Sequence, residues 1–179
     1  DYARDIIDLV RSYYPVEAGA SPSIIFEPGR AITSSSQSLV LRVLAVKDGA
    51  SGVPSVILDG GRNIVMPTGY ELHELLAVTG AAEPRDSCYS FYGPLCHPGD
   101  LHFQSKAFRT LQAGDLVAIM DAGAYFIPNQ MNFSNPRPSV VMVRNCQTSL
   151  LRQRESFQDI VRLDERGDFS DSGRVTRLV

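Results

Sequence analysis

Ser23-Ile24-Ile25-Phe26-Glu27-Pro28-Gly29-Arg30 is the stretch on which the reading of this chain turns. Its first four residues are a short apolar run that reads as a buried strand. The run passes directly into a carboxylate and a guanidinium held on either side of a rigid Pro-Gly turn. Upstream, Tyr2, Ile6, Leu9/Val10 and Tyr13 recur at intervals of three to four, which predicts an amphipathic helix ended by Pro15 and Gly19. Helix, loop, buried strand and polar tip form a βα-type unit, and in such folds ligands gather at the C-terminal ends of strands. Taken alone, Glu27 to Arg30 also fits an ordinary loop with a surface ion pair.

Beyond Ser38 the texture changes. Apolar runs at Leu39 to Val46, Ser55 to Leu58, Ser87 to Tyr92, Leu116 to Asp121 and Val140 to Val143 are broken by Asp48-Gly49, Asp59-Gly60-Gly61, Pro98-Gly99-Asp100 and Ala113-Gly114-Asp115. Short strands punctuated by turn residues predict a mainly β fold, an antiparallel barrel or sandwich. Arg152 to Val161 is expected as a short final helix and Asp164 to Arg174 as a loose tail. The expected division is therefore 1–37 as the terminal αβα elements of a (β/α)8 barrel whose remainder lies upstream. A β domain with its short helix follows at 38–163, and a tail at 164–179.

Composition narrows the function. A chain of 179 residues that is 44% hydrophobic can bury a core. A formal charge of −3, from 17 basic and 20 acidic residues, supplies no field to gather a polyanion, so nucleic acid is not an expected partner. No apolar run approaches the roughly 18 residues of a membrane span and no signal-peptide pattern is visible; membrane is not expected, and the cytoplasm is. Cys88, Cys96 and Cys146 are odd in number and form no CxxC pair. A disulfide framework and a metal site are therefore not expected. Cys88 and Cys146 read as small core residues, His73 reads as a structural side chain, and His102 carries no signal.

Three further segments accompany Glu27-Pro28-Gly29-Arg30: Tyr92-Gly93-Pro94-Leu95-Cys96-His97-Pro98-Gly99-Asp100, Asp121-Ala122-Gly123-Ala124-Tyr125, and Asn132-Phe133 with Arg137-Pro138. In this order the four segments resemble the C-terminal part of the pyridoxal-phosphate-dependent (fold type III) amino-acid decarboxylases, which include the diaminopimelate, ornithine and biosynthetic arginine enzymes. The resemblance runs from about Ser23 to Asp159, with Leu39 to Lys47 as the first strand of the β domain and Arg152-Gln153-Arg154-Glu155 near its end. It implies pyridoxal 5'-phosphate as cofactor, an amino-acid substrate, and a homodimer whose active site is shared across the interface. By position, Glu27 would keep the pyridine nitrogen protonated, while Gly29, Arg30 and Tyr125 would hold the phosphate. Cys96 would return a proton to Cα in the partner's active site after carbon dioxide leaves. A thiol with an ordinary pKa near 8.5 suits that task.

Two departures bear on the substrate. The family usually carries an acidic residue after the cysteine, where it helps select a distal amine; this chain has His97. The Arg-Pro-Ala-Leu-Tyr segment of diaminopimelate decarboxylases corresponds to Met66-Pro67-Thr68-Gly69-Tyr70, which lacks the arginine. His97 and Tyr70 are the substrate-binding candidates, and the expected substrate is diaminopimelate-like or a modified or conjugated amino acid. The family's Schiff-base lysine lies on an early barrel strand, and neither Lys47 nor Lys106 matches it, so the upstream barrel segment is expected to be needed. The competing reading is a catalytically silent homologue with a regulatory or scaffolding role. An alanine-racemase-like enzyme fits Gly93-Pro94-Leu95-Cys96 less well.

Overall fold

Alternation along Leu39–Lys47 turns Leu41 and Val43 inward and leaves Val40, Arg42 and Leu44 exposed, as a strand with one buried face requires. In the computed structural model, which describes residues 1–14, 22–49, 52–65, 72–80, 85–133 and 135–164, this strand is β1. Among the described residues seven others follow: β2 (Ser55–Leu58), β3 (Leu75–Ala77), β4 (Ser87–Tyr92), β5 (Leu101–Phe108), β6 (Leu116–Ile119), β7 (Val140–Arg144) and β8 (Gln147–Arg152). The first six make one curled half-barrel sheet in the order β3-β6-β1-β2-β4-β5, and β7 and β8 form a separate hairpin. Helices are few and short apart from α1 (Tyr2–Tyr13): α2 (Gly29–Thr33), which runs into a 3-10 turn at Ser34–Ser36, and α3 (Phe157–Val161).

The core lies in the hollow of the curled sheet. Leu41, Val43, Val56, Leu58, Leu75, Val117 and Ile119 line it, and Phe91 is fully buried at its centre. Tyr89, Phe103 and Phe108 meet the Phe91 ring edge-on at 6.1, 6.0 and 5.6 Å. Each such side chain contributes about 1.5–3 kcal/mol through burial.

The mainly β architecture is the expected one, with differences of detail. β2 and β4 run parallel, so the sheet is not wholly antiparallel, and among the described residues it stays open at β3 and β5. Ser23 to Phe26 forms no strand and is exposed, with Ile25 at 86%. A strand exists through its ladder, and no described strand lies beside this one. Arg152 ends β8, and the helix begins only at Phe157, after a capping box between Ser156 and Asp159. Cys88 faces outward from β4 and Cys146 sits in the β7–β8 turn, so both are exposed and neither is a core residue. Tyr70 with Met66 to Gly69, Pro15 with Gly19, and the tail from residue 165 lie outside the described residues. No helix among the described residues is long and apolar enough to cross a membrane.

The hairpin carries a local strain. Arg144 pairs with Gln147, leaving Asn145 and Cys146 as a two-residue turn with φ of 51° and 60°, the backbone of a type I′ turn. Asparagine tolerates that region; cysteine does so at a cost of about 1–2 kcal/mol, against about 0.5–1 kcal/mol for the extra chain freedom of glycine. Cys146→Gly should therefore stabilise the protein by about 0.5 kcal/mol, read as a higher urea midpoint at unchanged slope. A lower midpoint would show that the turn does not hold Cys146 in this conformation.

Candidate functional site

β1 and β6 are antiparallel with Leu39 opposite Ile119, so the chain entering β1 and the chain leaving β6 lie at one end of the sheet. That register brings α2 and its following turn against Asp121-Ala122-Gly123-Ala124-Tyr125. Ala122 N–H donates to the Gln37 carbonyl and Gly123 N–H to that of Ser34, both at 2.8 Å. A Cβ on Gly123 would stand 1.8 Å from the Thr33 carbonyl oxygen and 2.5 Å from Ser36 Oγ. Only hydrogen fits there.

Left-handed φ values of 57° at Asp121 and 66° at Tyr125 bracket the segment. Phe126 then enters the core, where His73 stacks edge-on to it at 5.1 Å and places Nδ1 2.8 Å from the Met120 carbonyl. Tyr125 goes the other way and remains 45% exposed. Its ring lies under the Arg30 guanidinium, whose central carbon is 4.9 Å from the ring centroid, a cation–π contact. A residue of this bulk at positive φ costs about 1–3 kcal/mol, which the Gly123 docking must hold in place.

Glu27, Gly29 and Arg30 occupy the entry to α2. Gly29 N–H donates to the Glu27 carbonyl at 2.9 Å, folding the chain tightly across Pro28. Among the described residues, and apart from its chain neighbours and its own helix backbone, nothing lies within 4 Å of the position a Gly29 Cβ would take, so a ligand can approach the backbone closely from that side. Glu27 and Arg30 are exposed. A guanidinium and a phenol hydroxyl on one exposed strip form a donor set for a phosphate dianion, Gly29 leaves room for it to approach the backbone, and Glu27 adds a carboxylate acceptor nearby in the chain. The residues present fit a phosphorylated pyridine.

A second cluster forms at the end of the parallel pair. Ile57 lies beside Tyr92, so the turn after β2 and the loop after β4 emerge together. Asp100, 3% exposed, closes that loop. Its carboxylate accepts from Leu95 N–H at 2.7 Å and Arg62 N–H at 2.6 Å, and its carbonyl accepts from Gly93 N–H at 2.8 Å. A Cβ on either Gly61 or Gly93 would come within 2.4 Å of the carboxylate. The loop so pinned displays Cys96 and His97 at the surface. His97 Nδ1 accepts from Gly99 N–H at 2.9 Å, and its ring meets Phe133 edge-on at 6.1 Å.

Phe133 is placed in turn by Met131 N–H donating to the Asn63 carbonyl at 2.9 Å. Its neighbour Asn132 donates to Glu155 at 2.6 Å, and Arg137 donates to the same carboxylate through Nε at 2.6 Å and backbone N–H at 2.8 Å. Hydrogen bonds from the Arg137 side chain, then its backbone, hold the Glu155 carboxyl down at about 2. The sequence places Asn132, Arg137 and Glu155 in its motifs without pairing them.

Two of the buried polar residues, Asp100 and His102, have partners that the sequence does not reveal. Asp100 reads as a turn residue, and His102 follows it with no motif of its own. In the structure His102 is 6% exposed with Nε2 3.1 Å from the Gly60 carbonyl. Burial pushes its pKa down, so the neutral ring donates to that carbonyl and braces the turn beneath Asp100. A separate cavity of about 350 Å³, lined by Gly80, Asp86, Arg109, Gln112 and Asp115 among others, shares no residue with either cluster.

Comparison with known proteins places the chain in a family. The profile of the pyridoxal-dependent decarboxylase C-terminal sheet domain matches residues 14–123. The chain is 35% identical to the diaminopimelate decarboxylase of Zymomonas mobilis, over 84% of its own length and 36% of that protein. With the diaminopimelate decarboxylase of Archaeoglobus fulgidus it shares 33% identity over 79% of its length and 34% of the relative. Among solved structures, the diaminopimelate decarboxylase of M. jannaschii superposes with a TM-score of 0.76 at 28% identity, covering 93% of this chain and 38% of that one. That of Helicobacter pylori, complexed with L-lysine, gives 0.69 at 29% identity over 82% and 36%. The chain thus spans little more than a third of the relatives it matches. On this match and the fold that accompanies it, the chain belongs to the pyridoxal-dependent decarboxylases and carries their C-terminal sheet domain.

Proposed function

We propose that this chain is the C-terminal portion of a pyridoxal-phosphate-dependent decarboxylase that removes the α-carboxylate of an amino acid and releases an amine. The apposition of Arg30 and Tyr125, locked by the docking of Gly123 on Thr33 and Ser36, is the observation that carries it. When bound, the cofactor's ring accepts the electron pair left on Cα as carbon dioxide departs. The work of this chain is to hold and protonate. Arg30 and the Tyr125 hydroxyl would bind the phosphate, and Gly29 would let it approach the backbone closely; Glu27 would keep a proton on the ring nitrogen; Cys96, on its pinned loop, would give a proton to Cα.

The Schiff-base lysine would come from an upstream barrel, of which residues 1–37 are the last elements. Cys96 would act in the active site of a second copy. Exposed apolar side chains support both ideas: Ile25, Ile32, Leu9 and Tyr13 on the leading segments, and Val141, Val143 and Leu151 on the hairpin, are at least half exposed and available to partner surfaces. A diaminopimelate-like or conjugated amino acid is the substrate class, given relatives named for diaminopimelate and one solved with L-lysine. A silent homologue would have no physical need for the Arg30–Tyr125 arrangement.

The test is made on the full-length protein. It should show a borohydride-reducible cofactor absorbance and release carbon dioxide from an amino acid. Arg30→Ala, which deletes a charge-assisted bond of about 1.5–3 kcal/mol, should weaken cofactor binding roughly 10- to 100-fold. A full-length protein that binds no pyridoxal phosphate would sink the proposal.

A further inference from the structure

We propose that His73 is a positioning residue for the cofactor phosphate: it grips the chain on both sides of Asp121 to Tyr125 and so fixes where the Tyr125 hydroxyl stands. This deepens the decarboxylase reading and rests on it, because it takes Tyr125 as a phosphate ligand. A carbonyl can only accept, so the 2.8 Å contact between His73 Nδ1 and the Met120 carbonyl means that Nδ1 carries a proton and donates it. Met120 N–H in turn donates to the Glu74 carbonyl at 2.9 Å. Residues 73 and 74 therefore hold both backbone polar groups of Met120. On the other side of the segment the imidazole meets the Phe126 ring edge-on, 5.1 Å between centroids at an interplanar angle of 68°.

These two contacts fall on the residues that flank the segment. Met120 precedes Asp121, where φ is 57°, and Phe126 follows Tyr125, where φ is 66°. The Met120 carbonyl belongs to the peptide that enters the first left-handed residue, and Phe126, 3% exposed, is the buried anchor behind the second. Left-handed residues other than glycine persist only where their surroundings over-determine them. Docking of Gly123 on Thr33 and Ser36 fixes the middle of the segment; His73 fixes its two ends. The pairing of Leu75 with Ile119 in the β3–β6 ladder is what delivers His73 to that place. One rigid ring supplies a donor for the carbonyl and an aromatic face or edge for the phenyl group, so the two halves of the role can be removed separately.

The experiment uses the full-length protein and reads cofactor affinity by absorbance titration, together with the phosphorus resonance of the bound cofactor, which reports the surroundings of its phosphate. His73→Ala is expected to weaken pyridoxal phosphate binding roughly tenfold and to shift that resonance. His73→Asn sets an amide N–H₂ near the place of Nδ1 and keeps the carbonyl bond without the ring, whereas His73→Phe keeps the ring without the donor. Each should lose less affinity than alanine does, and both serve for the comparison where alanine unfolds the protein. In a Tyr125→Phe background, where the hydroxyl is already gone, His73→Ala should lose most of its effect on affinity while its effect on the urea midpoint persists. Equal losses of affinity in the two backgrounds, or undiminished affinity in folded His73 variants, overturn the assignment and leave the decarboxylase reading intact. A wild-type full-length protein that binds no pyridoxal phosphate overturns that reading and this one with it.

Discussion

Gly123→Ala is expected to weaken pyridoxal phosphate binding by the full-length enzyme roughly a hundredfold while the half-barrel sheet stays folded. The reason is local. The added Cβ would lie 1.8 Å from the Thr33 carbonyl oxygen, which is backbone at the end of α2 and cannot swing aside. Relief requires the 121–125 segment to lift from residues 33–37, breaking the Gly123–Ser34 and Ala122–Gln37 hydrogen bonds. Overpacking of this kind costs about 1–3 kcal/mol, comparable with the strain that Tyr125 carries at its φ of 66°. Once the segment lifts, Tyr125 relaxes and leaves Arg30. Cofactor titration by absorbance measures the loss, and the urea midpoint separates it from unfolding. Undiminished affinity in a folded Gly123→Ala protein would show that the Arg30–Tyr125 apposition is not what holds the phosphate.

The apposition of Arg30 and Tyr125 is not legible in the sequence. Glu27 to Arg30 and Asp121 to Tyr125 could each be picked out as chemistry-bearing segments from residue types alone. Their meeting could not, because it is set by Leu39 pairing with Ile119, a register that local pattern does not encode. The same holds for the Cys96 loop, whose partner turn is chosen by the parallel pairing of β2 with β4. Strands β1, β2, β4, β6 and β7 were legible because their apolar residues alternate or run together between turn residues. β5 was not: Ser105, at φ 47°, and the shift in pairing between Tyr89 and Phe91 break its alternation, and His102, Gln104 and Lys106 make it look polar. β8 is not legible because its two-residue turn is Asn145-Cys146 rather than the Asn-Gly that announces a hairpin. Ser23 to Phe26 shows the converse, an apolar run with the composition of a strand and no described neighbour to make it one.

Asp100→Ala should cost the full-length enzyme about 3 kcal/mol of stability and most of its turnover, although Asp100 is assigned no contact with substrate or cofactor. Its buried carboxylate takes the N–H groups of Leu95 and Arg62, and charge-assisted bonds of this kind contribute about 1.5–3 kcal/mol each. Alanine leaves both donors facing a void between Gly61 and Gly93, whose bare backbones close around the missing oxygens. The loop from Gly93 to Asp100 then loses the fastening that fixes where Cys96 stands. Asp100→Asn keeps one oxygen but turns an amide N–H₂ toward a backbone N–H, so its effect should fall between wild type and alanine. A purely structural role would lower the unfolding midpoint and leave kcat per folded molecule unchanged. A positioning role predicts a fall in kcat larger than any change in KM, and a double-mutant cycle tells the two apart. In a Cys96→Ala background, where the thiol is already gone, Asp100→Ala should have little further effect on kcat while its cost to stability persists. Full additivity of the two substitutions in kcat would mean that Asp100 serves the fold and not the thiol.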